Sequence, residues 1–90
     1  MGEEIEIIKD KIFKLLDKFK KRKYTYIDVH GKHEKILYII SERKMIVGKN
    51  TVVTIEETID PDKIRESDDI EYLISILERI ENVLSISEEK

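Results

Sequence analysis

The residues with the clearest potential for chemistry are two histidines in a short polar stretch. His30 and His33 flank Gly31 and are followed by Glu34. Two imidazoles and a carboxylate can contribute to a metal site. The order H-x-x-H-E differs, however, from the helical H-E-x-x-H, in which both histidines share one face, and no fourth ligand is obvious. We therefore expect turn-forming residues here, and we predict neither a metal site nor a cofactor.

A second group with potential chemistry is a crowd of carboxylates in the second half of the chain. Paired carboxylates can perform acid–base catalysis or bind a divalent cation. No D-x-[DN]-x-[DN]-G loop organises them, and several are explained by the preference for acids at helix starts. We expect a solvated acidic rim, or alternatively a docking surface for a basic partner. The residues concerned are Glu56, Glu57, Asp60, Asp62, Glu66, Asp68, Asp69 and Glu71.

Other catalytic signatures are missing from the sequence. The chain contains no cysteine, so it has no thiol nucleophile, and its serines and threonines show no pattern with histidine and an acid. The Gly48-Lys49 pair lacks the upstream glycine of a phosphate-binding loop. The sequence therefore predicts a protein that is not an enzyme.

The charge of the chain is divided between its halves. Residues 1–49 contain 13 Lys and Arg against 8 Asp and Glu, whereas residues 50–90 contain 4 against 12. Such a division can attract a polyanion or a second copy of the chain.

A basic run at residues 18–23 is followed by tyrosines. Cations replace the counterions of phosphates, and exposed aromatic rings stack on unpaired bases. The pI of about 5.4 is low for a dedicated nucleic-acid binder, and basic runs are common at helix ends. Nucleic-acid binding is therefore the alternative hypothesis, with candidate residues Lys20, Lys21, Arg22, Lys23, Tyr24, Tyr26 and Lys35.

Hydrophobic periodicity predicts the elements that must position these residues. A 3-4-3-4 stripe indicates a helix over about 3–21, and a second stripe indicates a helix over about 68–85, followed by a frayed tail at 86–90. Asp60-Pro61 predicts a short preceding helix, with a break at 66–68 and Ser67 or Asp68 as the next cap. Between the long helices, β-rich segments predict strands at about 24–30, 35–41, 44–47 and 51–59. Turns are predicted between them at 30–33, 41–43 and 48–50.

This order predicts an α+β fold in a single domain over residues 1–90. An N-terminal helix, an antiparallel meander of three to four strands and a C-terminal helix follow each other, with connections too short for parallel crossovers. Both helices are expected to pack on one face of the sheet.

Two apolar residues, Ile76 and Val83, lie off the main stripe of the C-terminal helix and require cover. A second copy of the chain can provide it, so these residues are candidates for a homodimer interface. We therefore predict a small interaction or regulatory module, homodimeric, that acts by binding an unknown protein partner. Packing of both residues within their own chain is the alternative.

Composition gives two further expectations. The chain has no apolar run of about 18 residues and an acidic N-terminus, so we expect a cytoplasmic protein that does not bind membranes. Charged residues make up 41% of the chain, Ile occurs 17 times, and Ala, Gln and Trp are missing. This composition resembles that of hyperthermophile proteins, although an AT-rich genome also explains it.

Overall fold

Three helices and three strands make up the structure, a computed structural model that describes the backbone of residues 2–88 and the side chains of residues 2–86. The strands form one antiparallel sheet in the order β1-β2-β3, with β2 in the centre. The α+β class, with a helix at each end of an antiparallel meander, is therefore as predicted. The elements are α1 (Gly2–Leu16), β1 (Lys20–Asp28), β2 (Gly31–Val47), β3 (Thr51–Ile59), α2 (Pro61–Glu66) and α3 (Ile70–Glu88).

The central strand β2 is a single strand of 17 residues. The predicted turn at 41–43 and the predicted separate strand at 44–47 are wrong, because β2 continues through them with only a register shift between Ile39 and Ser41. Glu42 and Arg43 lie directly opposite Glu56 and Ile55 of β3. Both are exposed, so the polar residues that suggested a turn instead belong to a solvent-facing strand.

The outer strands are staggered along β2. β1 pairs with residues 31–39 of β2, whereas β3 pairs with residues 38–47, so only Tyr38 and Ile39 have partners on both sides. The sheet is thus two hairpins that extend in different directions from a shared centre. We call residues 20–37 the first hairpin and residues 41–57 the arm.

The molecule is extended for its length as a result of this stagger. Its radius of gyration is 15.8 Å and its extents are 53 × 45 × 20 Å. A compact chain of this length has a radius of gyration of about 12 Å. Much of the sheet therefore lies away from the helices.

Helix α1 ends at Leu16, before the predicted end at residue 21. The amide of Phe19 donates to the carbonyl of Leu16 at 2.9 Å, in a tight turn that leads into β1. Phe19 still packs against the core, which explains why the helical spacing included it. The basic residues 20–23 therefore belong to a strand rather than to a helix end.

Side-chain caps define the two C-terminal helices. The carboxylate of Asp60 accepts a hydrogen bond from the amide of Asp62 at 2.9 Å, and Pro61 begins α2, as predicted. Asp69, rather than the predicted Ser67 or Asp68, caps α3, because its carboxylate accepts from the amides of Glu71 and Tyr72. Helix α3 continues to residue 88, beyond the predicted end at 85, and residues 89 and 90 of the predicted tail lie outside the described residues.

The core lies between the helices and the centre of the sheet. All three helices contribute to it, and no described helix is long and apolar enough to cross a membrane. The buried residues of this cluster are Ile12 and Leu16 of α1, Ile64 of α2, Leu73, Ile76 and Ile80 of α3, and Tyr38, Ile40 and Ile59 of the sheet.

Candidate functional site

The arm has two faces of different chemistry. Directly opposed residues of an antiparallel pair share a face, and successive residues of a strand alternate between faces. The helix-side face, which includes the core residue Ile59, carries Ser41, Arg43, Met45 and Val47 of β2 and Thr51, Val53, Ile55 and Glu57 of β3. The outer face carries Glu42, Lys44, Ile46, Val52, Thr54 and Glu56.

The helix-side face of the arm is apolar and exposed. Met45, Val47, Val53 and Ile55 retain 46%, 50%, 40% and 41% of their accessible surface. They form two neighbouring rows, in which Met45 is paired with Val53 and Ile55 with Arg43. Together they form a continuous apolar patch on this face of the arm.

An ion pair marks the boundary between the core and this patch. Arg79 of α3 donates to the carboxylate of Glu57, which lies between the buried Ile59 and the exposed Ile55 on the same face of β3. The distance from Arg79 Nε to Glu57 Oε1 is 2.8 Å. Beyond this pair the arm continues as a two-stranded ribbon. Such ribbons are marginally stable in water unless their apolar face is covered.

A groove lies at the base of the arm. It has a volume of about 410 Å³ and is located where β1 begins beside β2, between the end of α1 and the last turns of α3. Its apolar walls are formed by Phe19, Ile39, Ile40, Val83 and Leu84. Lys18, Lys20 and Glu42 provide charge at its rim.

The first hairpin carries much of the basic charge, and its alternation divides the candidate nucleic-acid residues between two faces. Residues 20–37 contain six Lys and Arg against two Asp and Glu. Lys20, Arg22, Tyr24, Tyr26 and Lys35 lie on the outer face. Lys21 and Lys23 lie on the other face, the one that carries Tyr38. The seven candidates therefore do not form one surface.

Several of the same residues are bound within the chain. Arg22 pairs with the carboxylate of Glu56, and the hydroxyl of Tyr24 donates to that carboxylate at 3.0 Å. Removal from water and this hydrogen bond raise the pKa of the Tyr24 phenol. Tyr26 is stacked on His33, with 5.1 Å between the ring centroids. These contacts reduce the number of cations and rings available to a nucleic acid.

Lys35 is paired with Asp60 beside a pocket of about 320 Å³. The bond to the Asp60 carboxylate raises the pKa of Lys35. Partial burial alone would raise the pKa of Asp60, but Lys35 and the amide of Asp62 lower it below its usual value. Lys63, Tyr72 and Arg79 also line this pocket, which lies where β3 leads into α2.

The histidines belong to the turn of the first hairpin. Asp28 is opposite Gly31, which has a φ of 115°, and the carboxylate of Asp28 accepts from the backbone amide of His30 at 2.7 Å. The same carboxylate lies 2.9 Å from Nε2 of His33. Within the described residues, no three His, Asp or Glu side chains are grouped as metal ligands.

The two proposed interface residues of α3 have different environments. Ile76 is buried in the core of its own chain, so its own chain already removes it from water although it lies off the main apolar stripe of α3. Val83 is half-buried and lines the groove. Their assignment to a dimer interface stays a prediction.

The alternation within the predicted last strand places Val53 and Ile55 on one face, but nothing in the sequence marks them as a site. The available signal was the alternation of apolar residues on both strands that flank the Gly48–Asn50 turn. Comparison of the chain with protein-family models, with curated proteins and with solved structures found no match.

Proposed function

We propose that this chain is a small, non-enzymatic interaction module that works as a homodimer and acts by protein–protein binding. The single observation that carries the proposal is the apolar helix-side face of the arm. Met45, Val47, Val53 and Ile55 are exposed together on a ribbon that extends away from the core. Contiguous apolar surface of this kind is typical of protein-binding sites.

Energetic considerations support self-association. Four apolar side chains of the arm are each about half exposed. Removing their exposed area from water would stabilise a complex by about 25 cal/mol per Å² of apolar area. A second arm of the same composition offers an equally apolar surface, and most homo-oligomers use such self-complementary contacts. The arm is also electrically balanced, with three basic and three acidic residues at 41–57, so two copies do not repel each other strongly.

Two adjacent valines allow a matched test. Val53 lies on the helix-side face, whereas Val52 lies on the outer face of the same strand and is even more exposed. In sedimentation velocity at about 100 μM, we expect wild type and Val52→Glu to be dimeric and Val53→Glu to be monomeric. Thermal unfolding should show that both variants remain folded, because neither residue is in the core. A monomeric wild type, or equal dimerisation of both variants, would overturn the proposal.

Nucleic-acid binding remains the second candidate because of the basic first hairpin. Lys23 and Lys32 lie on its helix-side face, and both are exposed. The division of the candidate residues between two faces, and the internal contacts of Arg22, Tyr24 and Lys35, argue for the first candidate instead. Salt-dependent binding to DNA or RNA would favour the second.

A further inference from the structure

We infer that the two arms of the dimer pack antiparallel, so that the tip of each arm fills the groove of the other copy. This inference rests on the proposed homodimer and specifies its geometry. It connects two features that lie at opposite ends of the arm, namely Val47 at the tip and the groove at the base.

The length of the arm connects these features. Six residue steps separate Ser41, which lines the groove, from Val47 at the tip. At about 3.4 Å per residue the arm is about 20 Å long. A two-fold axis through its middle, perpendicular to the strands, places the tip of one arm over the base of the other. The same operation fills both grooves at once.

Charge favours the antiparallel arrangement over the parallel one. In a parallel arrangement the two-fold axis runs along the arm, so β2 of one copy packs over β3 of the other. Lys49, in the middle of the turn between Val47 and Thr51, then meets its own copy, and like charges at an interface are costly. The antiparallel arrangement brings Arg43 towards Met45 of the other copy. It also places the two Lys49 residues, in the turns at the tips, at opposite ends of the interface.

The groove is suited to apolar side chains from the tip. Phe19, Val83 and Leu84 are only partly buried by their own chain, although all three pack against the core. Towards the tip, Met45 supplies an unbranched apolar side chain and Val47 a β-branched one, and neither carries a charge. The last turns of α3 thereby become part of the interface through Val83.

Engineered disulfides test this geometry directly, because the natural chain has no cysteine. A disulfide requires Cα atoms within about 7 Å, and the length of the arm separates Val47 from the groove of its own chain. We expect Val47→Cys with Val83→Cys to give a disulfide-linked dimer under mild oxidation. The matched control is Val52→Cys with Val83→Cys, which places the thiol near the tip on the outer face. It should cross-link at least tenfold more slowly.

The outcomes separate this inference from the proposed function. A reduced protein that is dimeric but cross-links no faster than the control would overturn the antiparallel geometry and leave the homodimer standing. A monomeric reduced protein would overturn both. If Val83→Cys lowers the melting temperature, the exposed rim residue Lys18 replaces it as the cysteine position.

Discussion

Glu56 of β3 accepts a hydrogen bond from the hydroxyl of Tyr24 of β1 at 3.0 Å, although β2 lies between these two strands. Arg22 of β1 pairs with the same carboxylate. Glu56 is directly opposite Glu42, so without these partners two like charges would face each other. This contact joins the first hairpin to the arm on the outer face.

Removal of this contact should therefore destabilise the fold more than removal of its neighbour. We expect Glu56→Gln to lower the free energy of unfolding by about 1 kcal/mol, because a charge-assisted hydrogen bond and an ion pair are weakened together. The matched control is Glu42→Gln, which removes the like charge opposite and should change stability by less than about 0.5 kcal/mol. Urea unfolding measures both. Equal destabilisation by the two variants would show that the contact contributes nothing specific.

The pair of Lys35 and Asp60 makes stability depend on pH at both extremes. The pKa of Lys35 is raised, so its contribution is complete below its ordinary value of 10.5 and is lost as pH rises through the folded-state pKa. The raised pKa of Tyr24 acts in the same direction above 10.0. The pKa of Asp60 is lowered, so its contribution is present above 3.8 and is lost as pH falls through its folded-state pKa.

We therefore expect the urea midpoint to be constant at intermediate pH and to fall at both ends. Asp60→Asn keeps an oxygen that can cap α2 but removes the ion pair. The fall of the urea midpoint at acid pH (the acid limb) and at alkaline pH (the alkaline limb) should therefore both become shallower. Tyr24→Phe should reduce only the alkaline limb. Unchanged limbs in Asp60→Asn would contradict the assignment to this pair.

The two candidate residues of α3 should separate folding from dimerisation. Ile76→Ala removes fully packed core atoms and should lower the free energy of unfolding by about 2–4 kcal/mol. Val83→Ala, at a half-buried position in the groove, should cost about 1 kcal/mol in folding but should weaken the dimer more strongly. Urea unfolding and sedimentation equilibrium on the same samples distinguish the two effects. A larger loss of dimer in Ile76→Ala than in Val83→Ala would place the interface on the side of α3 that carries Ile76.

Local signals were sufficient for the class of fold and for several elements. The β-rich run between the Gly48–Asn50 turn and Asp60 predicted β3 at 51–59, which the structure has. Asp60-Pro61 likewise predicted the start of α2, because a capping side chain and a proline act within one helical turn. Elements of this kind depend on residues only a few positions apart.

The remaining features depend on distant residues. Ser41, Glu42 and Arg43 have the composition of a turn, and only their pairing with β3 makes them a strand. Likewise, the exposure of Val53 and Ile55 follows from the stagger of β1 and β3 along β2. No local pattern encodes that register. The sequence therefore predicted the strand β3 of the arm, but it did not identify the arm as a binding site.

The basic hairpin provides the last prediction, which separates the two candidate functions. Lys23→Glu with Lys32→Glu reverses two exposed charges that lie away from the arm. We expect this variant to keep the wild-type dimer dissociation constant. We also expect wild type and variant to show equally weak binding of labelled DNA and RNA in fluorescence anisotropy at about 50 mM and 200 mM salt. Tight wild-type binding that falls about tenfold or more between these salt concentrations, and that the variant lacks, would indicate several phosphate contacts. The first hairpin, rather than the arm, would then be the primary binding site.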